Sequence, residues 1–496
     1  MKNTNLIYGV KDKPGLWKTL VFAFQQVLAI LAATIVVPVI INSSEQGVAI
    51  GANMSQSAAL VGAGLGTLVY LLFTRFKSPV FLGSSFAFIG SMCAAFGGAG
   101  AYLSLGYLGL IIGAVFAGLV YVVIAIAVKF AGTGWIDKIM PASVIGPTVA
   151  VIGLSLAGNA IGDLFKGSVT KEVLVDTIKD GAIVQVPNYV PTASPFIALL
   201  CGLVTFAVVV ICSVYGKKMM KMIPFIIGIL AGYVVAAIFT VIGILTETPA
   251  LQVINFGLFA NMAWLPEFTF VEAFKGISEV SNYNWGAFIA TIAVAYIPVA
   301  FVVFAEHLAD HKNISSIIGT DLTKDPGLHR TLLGDGIGSM VGSFFGGCPN
   351  TTYGESVGCV AISGNASVIT IFTAAIICIV SAFVAPFVTF LATIPSCVMG
   401  GVCVALYGFI AVSGLKMIQK VDLSNNANLF TVSAVLIAGV GGMIVEIGAV
   451  TITSVACALI LGILTNLITK KSLKKAETPA VSVTEETEEK EEKENA

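Results

Sequence analysis

Charge is what this chain has least of. Asp, Glu, Lys and Arg make up 11% of its 496 residues, whereas a soluble globular domain carries about 25%. Histidine occurs three times and tryptophan four times. The nine cysteines stand singly, without a CxxC pair or a Cys/His cluster, so they are expected to be small apolar fillers and not metal ligands or disulfides. No basic block offers a footprint for nucleic acid, and the net charge of -1 selects no charged partner. No nucleophile–base pair and no ligand cluster points to an enzyme, a cofactor or a metal. Lys11, Lys13 and Lys18 lead into a long apolar run without a convincing cleavage site, so the first apolar segment is expected to stay in the chain as a membrane helix.

What remains is apolar. Hydrophobic residues make up 57% of the chain and the mean hydropathy is +0.96. A soluble protein of this size has no interior large enough for that much apolar surface, so the solvent is mostly lipid. Apolar runs of roughly 20 residues recur, each long enough to cross about 30 Å of hydrocarbon as a helix. The alternating ten-residue segments of a β-barrel are missing. The expectation is an all-α polytopic membrane protein with fourteen segments, near 17–42, 56–74, 79–98, 104–129, 136–161, 193–214, 219–245, 286–311, 331–347, 350–364, 366–390, 394–415, 427–445 and 449–469.

Basic residues orient these segments. Of the 26 Lys and Arg, only Lys166, Lys171, Lys179 and Lys275 fall in the loops that would lie outside. Arg75, Lys77, Lys217, Lys218, Lys221, Lys416 and Lys420 fall on the other side, which places both termini in the cytoplasm. The outside loops 162–192 and 246–285 are polar enough to carry short strands or amphipathic pieces. From Glu477 onward the sequence is Glu/Lys/Thr-rich without apolar periodicity and reads as a disordered tail.

Segments three and ten do not read as plain helices. The third carries Gly83-Ser84-Ser85-Phe86-Ala87-Phe88, and the tenth opens with Cys348-Pro349-Asn350-Thr351-Thr352-Tyr353-Gly354-Glu355. Polar, helix-poor residues in an apolar context suit a broken backbone that lines a cavity. These two segments are seven apart. So are Met140-Pro141-x-x-Val144-x-Gly146 and Ile394-Pro395-x-x-Val398-x-Gly400. A repeat of seven spans inverts the second half relative to the first, a pattern of secondary transporters.

Ionisable groups inside a membrane are candidates for function. Glu306 and Asp310 are four residues apart and share a helix face, where two carboxylates resist being charged together. A proton-coupled carrier needs a carboxylate that loads and unloads a proton. Glu355 follows Tyr353-Gly354 in the broken tenth segment, so a carboxylate stands beside exposed backbone N–H groups, a mixed donor and acceptor set that fits the edge of a planar ring. Phe86 in the other broken segment could stack on a flat heterocycle. Tyr407 suits an interhelical hydrogen bond, and Asp335, between Gly334 and Gly336, suits satisfaction of freed backbone groups. Asp163 and Glu446 lie at span ends and are expected to be solvated. His307 is one position round the helix from Glu306 and is assigned a structural or interfacial role; His311 and His329 are placed in a cytoplasmic loop region.

The motifs resemble those of the nucleobase–ascorbate transporter (nucleobase:cation symporter) family, in particular its uracil-type members. The resemblance runs from about Lys13 to Lys471. It is carried by Leu82-Gly-Ser-Ser-Phe-Ala-Phe88, Gly132-Thr-Gly-Trp135, Ala305-Glu-His307, Lys324-Asp-Pro-Gly-Leu-His-Arg330 and Pro349-Asn-Thr-Thr-Tyr-Gly-Glu355. It implies two inverted sevens, with short antiparallel strands in segments three and ten. The core domain would take 17–130 and 286–391, and the gate domain 131–250 and 392–470. Residues 1–16 would form a cytoplasmic N-terminus, 251–285 an extracytoplasmic loop and 471–496 the disordered tail. It further implies that Glu306 and Glu355 accept from ring N–H groups. The amides at Phe86 and Gly354 would face ring carbonyls, and Ala33, Tyr353 and Tyr407 would form apolar walls. A homodimer in the inner membrane is implied as well.

Glu at position 355 resembles uracil-type members, and Gln there would resemble purine-type ones. The chain departs from the family pattern at Ser356 and Ser363, where Asn and Thr are usual. It departs again at Gln26 and Asp310, where uracil permeases often have His. The function expected is uracil import by proton symport through Glu306 and Asp310. A xanthine or purine permease of the same fold, with sodium coupling possible, is the alternative. An anion exchanger is disfavoured because no Arg lies among the candidate site residues. Paired broken segments also disfavour a channel.

Overall fold

The computed structural model describes residues 6–476 except 133–134, 136–139, 180–181, 218, 261, 276, 281–282 and 448–449. The interior of the Gly132–Trp135 motif and the tail beyond Ala476 therefore lie outside the described residues. The chain is predominantly helical. Eight described helices are long and apolar enough to cross a membrane, and a bent pair makes a ninth. These are α1 (Leu16–Ser43), α2 (Gln56–Phe73), α4 (Leu103–Ala131), α5 (Ala142–Ser155, prolonged by Ala157–Asp163), α6 (Pro195–Tyr215), α7 (Pro224–Leu245), α8 (Trp285–Ile318) and α13 (Ser396–Ile418). The bent pair is α11 (Val368–Ser381) and α12 (Ala385–Thr393), which meet at 81°. Shorter or more polar helices coincide with the other expected segments: α3 (Ile89–Gly98), α9 (Leu328–Gly346), α10 (Gly354–Ser363), α14 (Asn426–Val440) and α15 (Ser454–Ala476).

Segments three and ten are each a strand followed by a half-length helix. Strand β1 (Leu82–Ser84) leads through a single 3₁₀ turn into α3, and β4 (Asn350–Thr352) leads directly into α10. The strands pair antiparallel, Leu82 with Thr352, Gly83 with Thr351 and Ser84 with Asn350. Extended backbone is tolerated at membrane depth only where its polar groups find partners, and here they do. The Leu82 N–H donates to Thr67 Oγ1 at 2.9 Å, the Phe81 N–H to Ser356 Oγ at 3.0 Å, and the Ser85 N–H to the Pro349 carbonyl at 2.9 Å. Asn350 Nδ2 donates to the Gly62 carbonyl at 2.9 Å and pins β4 to α2.

Small residues let the supporting helices approach closely. A Cβ added to Gly62 of α2 would stand 2.4 Å from the Gly342 carbonyl oxygen of α9, and one on Gly338 would stand 2.8 Å from the Gly66 carbonyl oxygen. Gly83 has a second reason to lack a side chain. The Tyr353 ring lies flat over it, and an added Cβ would meet Tyr353 Cε2 at 2.3 Å. The Tyr353 hydroxyl, in turn, donates to the Ser84 carbonyl at 2.8 Å. Gly83→Ala is therefore expected to displace the ring and break that bond. Overpacking of this kind costs about 1–3 kcal/mol, to be read as a lowered melting temperature of the detergent-solubilised protein. An unchanged melting temperature would contradict the contact.

The polar loops carry a hairpin, β2 (Thr170–Lys179) with β3 (Ala182–Pro191), and short helical turns at 249–251, 256–260 and 269–274. A third pair, β5 (Val445–Ile447) with β6 (Val450–Ile452), precedes α15. Three placements differ from expectation. Helix α8 continues seven residues past 311, so His311 lies inside it, fully buried, and not in a loop. The extra turns persist because Ile314 is also buried against the neighbouring helices. Asp163 is only 6% exposed and pairs with Lys166 at 3.5 Å, so it is not solvated. Finally, α15 runs to Ala476, past the boundary expected at 470, while Glu446 is exposed as expected.

Candidate substrate-binding site

The two half-helices begin beside one another because the strands that precede them are paired. Each leaves its first N–H groups without intrahelical partners, and the positive ends of both helices point at one place. A cavity of about 410 Å³ lies there, within the ordinary size of small-molecule sites. Phe86, Ala305, Glu306, Asp310, Thr351, Tyr353, Gly354 and Glu355 line it, together with Lys221, Phe225, Ser413 and Met417. Glu306 and Gly354 are exposed to this space, while Phe86, Asp310 and Glu355 are half-buried.

Glu306 and Asp310 face the cavity together, as their spacing requires. Thr352 Oγ1 donates to Asp310 Oδ2 at 2.8 Å, which joins α8 to the end of β4. A Cβ placed on Gly354 would be 3.8 Å from Asp310 Oδ1, so the start of α10 sits directly against this carboxylate. Glu306 is within electrostatic reach of both Asp310 and Glu355. The arrangement offers three carboxylates as acceptors, two sets of backbone N–H donors and the ring of Phe86 as a flat apolar wall.

Of the other expected wall residues, one lines the cavity and two lie behind its lining. Tyr353 lines the cavity. Tyr407 stands behind Phe86, its ring edge-on at 6.1 Å and 76°. Ala33 is 1% exposed in the core, and Ala29, one turn earlier on α1, lines the space. Lys221 was not legible as a site residue, because a lysine in a short loop reads only as an orientation signal. Thr352, by contrast, lies inside a polar stretch the sequence had marked.

Two of the departures from the family pattern turn out to touch. Gln26 Nε2 donates to Ser356 Oγ, a close contact that ties α1 to the first turn of α10. Gln26 and Ser356 are both buried. A shorter side chain at 356 is thus matched by a neutral amide reaching in from α1.

On the adjoining face of α8, packed against α9 and α2, is a buried polar network. His307 Nδ1 lies 2.6 Å from Asp335 Oδ2, and its Nε2 lies 3.0 Å from Thr331 Oγ1. His311 Nε2 lies 2.6 Å from the Tyr70 hydroxyl, which is 2.7 Å from Ser78 Oγ. The two imidazoles stack at 3.9 Å. Asp335 thus partners a side chain and not freed backbone. The structural role expected for His307 has a concrete form: it joins α8 to α9 and fixes which face of α8 looks into the cavity.

Membrane helices around a central cavity, entered by two half-helices and carboxylates from a third, define a multi-pass membrane permease. The solved structures it resembles support that class at the level of fold. The murine Slc26a9 anion transporter in its inward-facing state matches with a TM-score of 0.61 at 13% identity, over 93% of this chain and 69% of that one. The transmembrane domain of the cyanobacterial bicarbonate transporter BicA matches with a TM-score of 0.56 at 15% identity, over 91% and 98%. The family model described as a permease family, for xanthine and uracil permeases, matches residues 17–448. The uracil permease of Bacillus subtilis is 35% identical over 473 residues, covering 94% of this chain and 95% of its own length. That of Escherichia coli K12 is 34% identical over 469 residues, covering 94% and 95%. This chain belongs to that permease family, the nucleobase transporter family its motifs resemble, and it is a transporter and not an enzyme.

Proposed function

We propose that the chain imports uracil by proton symport. The observation that carries this reading is the convergence of Glu306, Asp310 and Glu355 with the starts of two half-helices on one cavity. Uracil presents N–H and C=O groups in alternation around a flat ring. Glu306 and Glu355 accept from the ring N–H groups, the amides of Phe86 and Gly354 donate to its carbonyls, and Phe86 covers a face. Tyr353 closes the wall, with Tyr407 holding Phe86 and Ala33 backing Ala29. Asp310, with Glu306, carries the proton. The names of the relatives, uracil permeases, support the substrate.

The movement we infer is alternating access between a core built from 17–130 and 286–391 and a gate built from 131–250 and 392–470, fourteen segments in two inverted sevens. Support comes from the matched pair of strand-plus-half-helix units, β1 with α3 and β4 with α10, one in each half. Both termini are placed in the cytoplasm of an inner-membrane protein, on the side where the basic residues Arg75, Lys77, Lys217, Lys221, Lys416 and Lys420 gather. A homodimer is the assembly implied by the family resemblance.

The test is uptake of radiolabelled nucleobases into proteoliposomes under imposed proton or sodium gradients. Uracil is expected to accumulate with an inward proton gradient, and excess unlabelled xanthine is expected to leave the rate unchanged. Competition by xanthine would overturn the uracil assignment, and accumulation driven by sodium alone would overturn the proton.

A further inference from the structure

A second cavity, of about 580 Å³, lies apart from the site described above. The end of α1 (Val39 and Asn42), residues 53–57 at the start of α2, Thr389 of α12, Ser396 of α13 and the loop residues Ser168 and Glu267 form its wall. Helix α1 runs past both cavities. Ala29 lines the first and Val39 the second, ten residues further on, or about 15 Å at ~1.5 Å per residue. Between them Ala32, Ala33, Val36 and Val37 are fully buried, so packed side chains separate the two spaces.

Some polar groups of this wall are already used. Asn42 Nδ2 donates to the Met54 carbonyl at 3.0 Å, and Asn42 Oδ1 accepts from the Met54 N–H at 2.7 Å, which fixes the link between α1 and α2. Ser55 Oγ accepts from the Ala58 N–H at 3.2 Å. The side chains of Asn53, Ser168, Glu267, Thr389 and Ser396, by contrast, make no hydrogen bond or ion pair among the described residues. Thr389 is the most telling of them. It is only 6% exposed, buried hydroxyls are ordinarily bonded, and this one is unpartnered on the wall of the cavity without being shut away from open space. The free set is therefore one carboxylate, one amide and three hydroxyls, with no Lys, Arg or His among the described lining residues. Such a set turns away an anion and receives a neutral molecule that carries both N–H and C=O groups.

The position of the cavity says which neutral molecule. Ser168 and Glu267 belong to the two loops assigned above to the outside. The wall joins α1, α2 and α12 to Ser396 at the start of α13, which is the same seam between core and gate that holds the first cavity. We propose that this second cavity is an outer site for uracil, filled before the molecule passes to the inner one. Glu267 accepts from a ring N–H, Thr389 and Asn53 donate to ring carbonyls, and Leu265 and Val388 supply apolar cover. The inference rests on the import of uracil proposed above.

The experiment uses the full chain in proteoliposomes with radiolabelled 4-thiouracil, a uracil analogue that crosslinks under near-ultraviolet light. Labelled peptides are located by mass spectrometry, and uracil uptake is read in the same vesicles. Label is expected in two places, on peptides holding Glu306 or Tyr353 and on peptides holding residues 53–57 or 258–267, and excess uracil is expected to displace both. Thr389→Val keeps the shape and removes only the hydroxyl, and Glu267→Gln changes an exposed side chain, so neither threatens the fold. Each should lower the outer label several-fold and leave the inner label unchanged. Uptake with inner label but no outer label, outer label that excess uracil fails to displace, or outer label unchanged in both variants would overturn the outer site and leave the transport reading standing. Absence of uptake together with absence of label in both cavities would overturn both.

Discussion

Glu355→Gln is expected to weaken uracil binding by roughly 10- to 100-fold. In the proposed site the carboxylate at 355 would offer two acceptor oxygens to a ring N–H, and the amide replaces one of them with a donor, so a favourable contact would become a clash of like partners. A hydrogen bond to a charged group is worth ~1.5–3 kcal/mol, and about 1.4 kcal/mol is a tenfold change in affinity. The substitution is nearly isosteric. It sits at the second position of α10, where its neighbours Ser356 and Val357 are buried and held by other contacts. Loss of affinity therefore reports on the contact and not on the fold. Isothermal titration of the detergent-solubilised protein with uracil, alongside its melting temperature, checks both. Wild-type affinity in this variant would remove Glu355 from the site.

Asp310→Asn is expected to separate transport from the pH gradient. An amide oxygen at 310 can still accept from Thr352 Oγ1, the bond seen at 2.8 Å, so the join between α8 and β4 survives. What is lost is a group able to take up and release a proton beside Glu306. Uracil should still bind and equilibrate across the membrane of proteoliposomes, but an inward proton gradient should no longer drive accumulation above the outside concentration. Uphill accumulation equal to wild type would show that the coupling proton travels elsewhere. If Asp310→Asn and Glu355→Gln both abolished binding to the same extent, the division of labour between the two carboxylates would be wrong.

Each prediction depends on α8 presenting the correct face. Residues 306 and 310 look into the cavity while 307 and 311, about 100° round the helix, face α9 and α2, where His307 meets Asp335 and His311 meets Tyr70. Burying polar side chains costs free energy unless they are bonded, and these partners would be lost if the helix turned. The polar network thus selects one rotation of α8. Apolar packing alone discriminates poorly when lipid and protein interior are equally apolar.

The sequence alone determined the membrane setting, the limits of most helices, the two broken segments and the spacing that puts Glu306 and Asp310 on one face. These are local properties, fixed by apolar run length, by helix-poor residues and by the 3.6-residue period. It did not determine the register in which β1 and β4 pair, that Gln26 meets Ser356, that Asp335 belongs to His307, or that Ala29 and not Ala33 looks into the cavity. Those facts join residues up to 330 positions apart, and no periodicity carries information across that distance. They were decided only when extended backbone at membrane depth had to find hydrogen-bond partners without water, and the partners available were those that the packed helices brought near.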